Sequence, residues 1–171
     1  MTRASKLPYR ACVGILLFNQ SSKVWIGRRI AKWEGDGSQK MWQMPQGGID
    51  EGETPLDAAM RELEEEIGTN HAEVIGEHPD WLNYDLPKEA HGSALGRKYR
   101  GQTQKWFAMR FLGEDDLIDI SGANGHEVEF DQWRWCEIDE LSDLVVSFKR
   151  PVYTRVVAQF KPLASTSTNP K

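Results

Sequence analysis

Three glutamates at helical spacing, Glu62, Glu65 and Glu66, are the side chains of this sequence best suited to chemistry. Positions i, i+3 and i+4 share one face of a helix, so the three carboxylates would lie side by side. Each like-charge pair costs about 0.2–0.5 kcal/mol in an exposed helix, and Arg61 is the only cation nearby in the sequence. A divalent cation would relieve this repulsion. The alternative is a solvated acidic face that binds nothing.

A glycine-rich turn, GGIDEG, precedes these glutamates and favours the first interpretation. Gly47, Gly48 and Gly52 allow positive φ angles and a close approach of the backbone to a ligand. A loop folded back onto a carboxylate-lined helix would form an oxygen-rich site for Mg²⁺ or Mn²⁺. Such a cation would also neutralise phosphate oxygens.

The helix that positions the glutamates has clear ends in the sequence. Thr54 suits the N-cap, Pro55 suits the first helical position, and Gly68 suits the stop just past the end. One apolar stripe at helical spacing is expected to face the core. It consists of Leu56, Ala59, Met60, Leu63 and Ile67.

The remaining segments predict an α+β fold with a mixed β-sheet between helices. Strand-like runs occupy 9–18, 24–28, 41–46, 74–75, 81–86, 105–112 and 129–138, and the first two would form a hairpin. Apolar residues at helical spacing over 151–160 predict a C-terminal helix. Two long connections separate the strands, a basic polar loop over 87–104 and an acidic one over 113–128.

The chain has 171 residues and a net charge of −5, and its composition is typical of a soluble globular protein. We expect a flexible leader at 1–7, a single domain over 8–163 and a disordered tail at 164–171. The negative charge argues against binding along duplex DNA. No apolar run is long enough for a membrane span or a signal peptide, so we expect a cytoplasmic location. The two cysteines are expected to be buried free thiols, and the four histidines ordinary surface or loop residues.

The stretch from Gly47 to Gly68 resembles the signature of the Nudix hydrolases. That signature is a glycine, five residues, a glutamate, seven residues and then Arg-Glu-aliphatic-x-Glu-Glu-x-Gly-aliphatic. Here it is Gly47, Glu53 and RELEEEIG, and Thr69 replaces the final aliphatic residue. The resemblance implies the family's α/β/α sandwich. It also implies metal ligation by Glu62, Glu65, Glu66 and the Gly47 carbonyl, with structural roles for Glu53 and Arg61.

The reaction implied by the resemblance is hydrolysis of a phosphoanhydride bond, in which water attacks phosphorus and divalent metal ions stabilise charge on the oxygens. Mg²⁺ is the expected ion, with Mn²⁺ and Zn²⁺ as alternatives. A general base is also required. Glu65 and Glu66 within the signature and Glu129 outside it are the candidates, and Glu127 is the alternative to Glu129.

A wider resemblance, to the bacterial RNA pyrophosphohydrolases, extends from Tyr9 to about Phe160. It rests on WQMPQGGID, YDLPK, GQTQKWF, EFDQWRW and VVSFKRPVY. It implies removal of pyrophosphate from the 5′-triphosphate end of RNA, or of phosphate from a 5′-diphosphate end, which leaves a 5′-monophosphate and promotes decay. The phosphates would be held by Arg10, Arg29 and Lys105. The first bases or the nearby backbone would be held by Tyr84, Phe148 and Lys149.

Several alternatives remain open. The motifs are shared with dinucleoside polyphosphate hydrolases that split diadenosine tetraphosphate into ATP and AMP, and the basic loop at 87–104 would then border a second nucleotide. A nucleotide-sensing binding module is the non-enzymatic alternative. Among single residues, Arg29 could be an exposed strand end, and Phe148 could be a core contact at the start of the last helix.

Overall fold

A mixed β-sheet of eight strands runs through the computed structural model, which describes residues 4–32, 36–37 and 41–165. The strands are β1 Tyr9–Phe18, β2 Val24–Arg29, β3 Trp42–Gln43, β4 Gln46–Gly48, β5 Ala72–Glu77, β6 Leu82–Asp85, β7 Gly101–Phe111 and β8 Phe130–Cys136. The order is β3-β2-β1-β7-β5, with β4 paired to β1, β6 to β7 and β8 to β2. Among these strands β1 and β7 are parallel, and the other pairs are antiparallel.

Helices cover both faces of the sheet. They are α1 Pro55–Ile67, α2 Ala94–Lys98, α3 Leu141–Leu144 and α4 Arg150–Phe160. Because side chains alternate along a strand, Val13, Ile15 and Leu17 of β1 pack with α1, whereas Leu16 and Phe18 join the cluster that contains α3 and α4. These layers confirm the predicted α+β fold, an α/β/α sandwich with a mixed sheet between helices.

The ends of α1 agree with the sequence-based expectation, but one residue of its stripe does not. The Thr54 hydroxyl accepts a hydrogen bond from the Asp57 N–H at 3.2 Å, and Gly68 ends the helix with φ 81°. The prediction that Leu56 faces the core is wrong, because its side chain lies in the first turn and is 41% exposed. Ala58 is buried instead.

The run at 41–46 forms two short strands, β3 and β4, where one was predicted. The Met44 N–H donates to the Tyr153 hydroxyl at 2.8 Å, so it is not available to a neighbouring strand. Pro45 has no N–H to donate. The chain therefore leaves β2 after β3 and pairs with β1 through β4.

The segment at 87–104 is more ordered than the predicted polar loop. It contains a 3₁₀ turn at Lys88–Ala90, α2, and the first residues of β7. The Ser93 hydroxyl caps α2 by accepting from the Gly96 N–H at 3.1 Å, and Leu95 packs against the core. Five residues are too few to give a helical periodicity, so the sequence pattern could not indicate α2.

Parts of the predicted leader, loops and tail lie outside the described residues, namely 1–3, 33–35, 38–40 and 166–171. The described part of the leader forms a 3₁₀ turn at Ala4–Lys6, and the single domain over 8–163 stays a prediction. Both cysteines are buried and free, as expected, and burial raises the pKa of Cys12 to about 11. In the ranges described, no helix combines the length and apolar character needed to cross a bilayer.

Candidate active site

A cavity of about 530 Å³ opens between α1, the β1–β4 pair and the start of α4. This volume lies within the range of sites for nucleotide-sized ligands. The side chains that line it fall into three chemical classes. The acidic residues are Glu62, Glu65, Glu66, Glu127 and Glu129; the cations are Arg10, Arg29, Lys32 and Lys149; and the larger apolar side chains are Tyr84, Leu86, Leu95 and Phe148.

The predicted glutamates of α1 all line this cavity, and the glycine turn makes room for one of them. A β-carbon at position 47 would overlap the carboxylate of Glu62. Glycine at this position therefore lets the Glu62 carboxylate lie directly against the backbone of β4. The turn and the helix form one continuous acidic wall, as the sequence pattern predicted.

Arg61 joins the turn to the helix. Its guanidinium donates to both carboxylate oxygens of Glu53, at 2.7 and 2.8 Å, and to the Gly48 carbonyl at 2.8 Å. Its third nitrogen contacts Glu62 at 2.9 Å and Glu65 at 3.3 Å. The hydrogen bonds from Arg61 lower the pKa of Glu53 to about 2. This geometry agrees with the structural roles proposed for Glu53 and Arg61.

Burial makes two of the glutamates hard to ionise in the absence of a cation. It raises the pKa of Glu62 to about 7, although hydrogen bonding from Arg61 opposes this shift. Glu66 is 7% exposed, and burial, followed by repulsion from Glu129 and Glu62, raises its pKa well above the usual range. One Glu66 oxygen accepts a hydrogen bond from the Gln46 N–H at 3.2 Å. A bound cation would favour the ionised form of both carboxyl groups.

The donor set fits a divalent cation. Carboxylate oxygens are the ligands that Mg²⁺ and Mn²⁺ prefer. Within the described ranges, no three His, Cys, Asp or Glu side chains already converge on one ion position, and the Arg61 guanidinium contacts both Glu62 and Glu65. Mg²⁺ keeps several water ligands and needs only one or two carboxylates in direct contact. Burial raises the pKa values of Glu62 and Glu66, and a bound cation would lower them again.

The raised pKa of Glu62 predicts a pH-dependent effect of Glu62→Gln on stability. An acid whose pKa is higher in the folded state stabilises the fold below its unfolded pKa and loses that contribution as pH rises through the folded value. In metal-free protein the Tm of the variant, relative to that of the wild type, should therefore increase as the pH rises from about 5 to about 8. Thermal unfolding with a chelator measures this difference. A Tm difference that is constant over this range would contradict the burial of a charged Glu62.

The cations of the cavity are held in different ways. Arg10 makes no ion pair with another described residue, and its guanidinium occupies space that a side chain at Gly48 would take. Arg29 is paired with the buried Asp36 at 3.8 Å and is itself buried, so it is not an exposed strand end. Lys149 is 3% exposed, and burial lowers its pKa well below the usual range. Its ammonium donates to Gln43 Oε1 at 3.0 Å.

The two predicted aromatic residues meet at the other end of the cavity. The rings of Tyr84 and Phe148 are 5.5 Å apart, and Lys149 lies 5.6 and 5.9 Å from their centroids. Phe148 is partly buried against the core cluster and also lines the cavity, and its role toward a base stays a prediction.

Lys105 is the one predicted substrate-binding residue that lies away from the cavity. Its ammonium donates to the His78 carbonyl at 2.6 Å and pairs with Glu77 at 3.1 Å. His78 lies in the loop after β5, one of the two expected settings for the histidines, but it is buried (3% exposed) and not at the surface. The placement of Lys105 therefore indicates a structural contact on β7.

We expect Lys105→Met to lower Tm and to leave KM within about twofold of the wild type, because its ammonium satisfies a buried carbonyl. Arg10→Met is the matched comparison and should raise KM by about 10-fold, since it removes a cation from the cavity. Steady-state kinetics and thermal unfolding of both variants test this. A KM increase in Lys105→Met equal to that in Arg10→Met would restore Lys105 to the site.

Sequence reasoning missed several lining residues. The Lys32 ammonium pairs with Glu129 and, at 3.5 Å, with Glu127. The backbone N–H of Lys32 donates to the Asp36 carboxylate at 3.0 Å. His126 Nδ1 lies 3.8 Å from a Glu65 oxygen. His126 lies in the segment GHEVEFD, which also contains the predicted candidates Glu127 and Glu129, and this proximity was the available signal for it. Lys32 lies in a loop without periodicity, so the sequence pattern could not indicate that its side chain faces the cavity.

Known proteins match this chain across most of its length. Residues 8–156 match the NUDIX domain. The chain is 52% identical over 158 residues to the RNA pyrophosphohydrolase of Bartonella clarridgeiae, covering 91% of each protein. It is also 52% identical over 164 residues to that of Rhodopseudomonas palustris (strain HaA2), covering 96% of this chain and 98% of the relative.

A solved structure supports the same fold. The MutT protein from Methanosarcina mazei Go1 superposes with a TM-score of 0.65 at 15% identity, covering 91% of this chain and 98% of that one. Nudix hydrolases generally need divalent metal ions, in agreement with the acidic wall. The match over most of the chain confirms the predicted enzyme class. The chain belongs to the NUDIX-domain family and is a Nudix pyrophosphohydrolase.

Proposed function

We propose that this protein removes pyrophosphate from the 5′-triphosphate end of RNA and leaves a 5′-monophosphate, and that it acts on 5′-diphosphate ends by releasing phosphate. The relatives named RNA pyrophosphohydrolase support this reaction. The observation that carries the substrate assignment is the position of Arg10, between the carboxylates of α1 and the Tyr84–Phe148 pair.

Contacts along the sheet define that position. Arg10 lies against Gly48. The preceding residue, Gly47, lies against the Glu62 carboxylate. On its other side Arg10 is in register with Gln102 of β7, which is in register with Tyr84 of β6. Two strand spacings separate Arg10 from Tyr84, or about 10 Å. The cavity thus presents the carboxylates first, then the Arg10 cation and then the Tyr84 ring. An RNA end presents its phosphates first and then a sugar and a base, which matches this order.

The cations would hold the phosphates. Arg10 has its guanidinium donors uncommitted to other described residues, and Arg29 is oriented by Asp36. A planar guanidinium binds phosphate oxygens in pairs, which orients a polyphosphate chain better than a point charge does. Lys149 lies deeper, under the two aromatic rings, where it can reach the first nucleotides.

The carboxylates would hold the metal and the attacking water. Glu62, Glu66 and the Gly47 carbonyl are suited to metal ligation, and Glu65 completes the set proposed from the signature. A bound divalent cation, Mg²⁺ or alternatively Mn²⁺ or Zn²⁺, supplies charge neutralisation and an activated water. Glu65, Glu66 and Glu129 remain the candidates for the general base. Glu65 and Glu129 have side chains that are 28% and 24% exposed, so water reaches them more readily than it reaches Glu66.

The aromatic end would bind an unpaired base. Stacking of a base on an aromatic ring contributes about 1–3 kcal/mol and tolerates different bases. Recognition of a single-stranded end needs few phosphate contacts, which agrees with a net charge of −5. Binding along duplex DNA is not part of the proposal.

The test compares kcat/KM for a 5′-triphosphate RNA and for diadenosine tetraphosphate, with Mg²⁺ present. This ratio reports the preference in the transition state. We expect the RNA to be the better substrate, with release of pyrophosphate. The same assay with Glu66→Gln controls for contaminating activity. A preference for the dinucleotide, with ATP and AMP as products, would overturn the assignment in favour of a dinucleoside polyphosphate hydrolase.

A further inference from the structure

A chain of buried polar side chains runs along one face of β7 from the core to the cavity. The Trp106 indole N–H donates to Gln104 Oε1 at 3.1 Å. Gln104 Nε2 donates to Gln102 Oε1 at 2.9 Å and to Gln46 Oε1 at 3.3 Å. Gln104 is 1% exposed and Gln102 is 6% exposed, so these contacts are shielded from solvent.

Trp106 determines the direction of this chain. An amide group can rotate by 180° and exchange its oxygen and nitrogen, but an indole N–H can only donate. The Gln104 oxygen must therefore face Trp106, and its NH₂ group must face Gln102. That in turn requires the Gln102 oxygen to point back toward Gln104. A reversed Gln104 would leave a buried donor without a partner, at a cost of about 1–3 kcal/mol.

The consequence is that Gln102 presents an NH₂ group to the cavity. Gln102 lines the cavity, and its amide nitrogen has no hydrogen-bond partner among the described residues. Unlike the unpaired indole nitrogen of Trp25, it is not fully enclosed by protein. Its neighbours in register are Arg10 on β1 and Tyr84 on β6. Register partners on adjacent strands point to the same face of a sheet.

We propose that Gln102 is a substrate-binding residue whose NH₂ group donates to a substrate oxygen between the phosphates and the stacked base, and that Trp106, acting through Gln104, is the positioning group that keeps Gln102 a donor. This inference rests on the proposed function, because that function defines what lies between Arg10 and Tyr84. Phosphate and sugar oxygens accept hydrogen bonds, so a reversed amide would turn its oxygen toward another acceptor.

The direct test is NMR of the glutamine side-chain amides in the wild-type enzyme. The protein is labelled with ¹⁵N at glutamine and titrated with a 5′-monophosphate trinucleotide RNA, which is the product of the proposed reaction and undergoes no turnover. Gln102→Met identifies the Gln102 signals. We expect the Gln102 NH₂ signals to shift on binding, while those of the exposed Gln132 on β8 stay in place.

Kinetics provide the second test. Gln102→Met should raise KM for the triphosphate RNA by about 10-fold with kcat nearly unchanged, since one neutral hydrogen bond in a buried site is lost. Gln104→Met should raise KM in the same way, although residue 104 does not line the cavity. A purely structural role for Gln104 would lower Tm and leave KM unchanged. Gln132→Met is the matched control and should match the wild type in both constants.

The outcomes separate this inference from the proposed function. If the wild-type enzyme neither binds the product RNA nor hydrolyses the triphosphate RNA, both fail. If it binds and hydrolyses RNA but the Gln102 signals do not shift, only the role of Gln102 fails. If Gln102→Met raises KM and Gln104→Met does not, the positioning role of the Trp106–Gln104 pair fails.

Discussion

Replacing Glu66 with glutamine is expected to reduce kcat by at least about 100-fold while leaving the metal-free protein as stable as the wild type or more so. The amide keeps an oxygen for the Gln46 N–H and cannot ionise, so it avoids the cost of a buried charge that Glu129 and Glu62 would repel. The loss of a carboxylate should also abolish the increase in Tm that Mg²⁺ produces. Activity assays and thermal unfolding, each with and without Mg²⁺, measure the two effects separately.

Glu64→Gln is the matched control for this variant. Glu64 is the same residue type on the same helix, but its side chain is exposed and contacts Asn70 outside the cavity. We expect wild-type kcat and a wild-type response of Tm to Mg²⁺. If Glu66→Gln kept full activity, or if Glu64→Gln lost it, the assignment of the metal site to the buried face of α1 would be wrong.

Gly47→Ala is expected to have the second large effect. The added methyl group would overlap the Glu62 carboxylate and displace it from the backbone of β4. Displacement of a catalytic group by about 1 Å can cost about 100-fold in rate, so a loss of that size in kcat is expected. The overlap would also cost about 1–3 kcal/mol of stability. Steady-state kinetics and denaturant unfolding test the two parts.

Gly92→Ala separates this steric effect from the general effect of losing a glycine. Position 92 has open space where the methyl group would lie, and its φ angle is not in the left-handed region. We expect unchanged kinetics and no loss of stability. Wild-type activity in Gly47→Ala would show that the Glu62 carboxylate does not need its place beside the turn.

The local features of this protein could be predicted from the sequence because their causes are local. The cap at Thr54, the stop at Gly68 and the shared face of the three glutamates each depend on residues within a few positions. The exposure of Leu56 could not be predicted, because helical spacing does not show how far the sheet extends beneath the first turn. α2 was too short to leave a pattern.

The substrate side of the cavity shows a different limit. Lys105 was predicted as a phosphate ligand from its charge and its place in a motif, whereas Gln102, three residues earlier on β7, received no role. Along a strand, positions 102 and 105 face opposite sides. The register that joins Gln102 to Arg10 places Gln102 in the cavity and Lys105 on the other face. That register is set by a pairing of distant segments, which the sequence pattern does not encode.

The parallel pairing of β1 with β7 has a consequence for the order of folding. Tyr9 pairs with Gly101, so the two central strands are joined across roughly ninety intervening residues, and contacts of such long range slow folding. Because Arg10 and Gln102 lie on these two strands, the cavity cannot form on the ribosome until β7 has emerged. We therefore expect the nascent chain to be inactive at least until the sheet is complete and Phe148 and Lys149, which follow its last strand, have emerged.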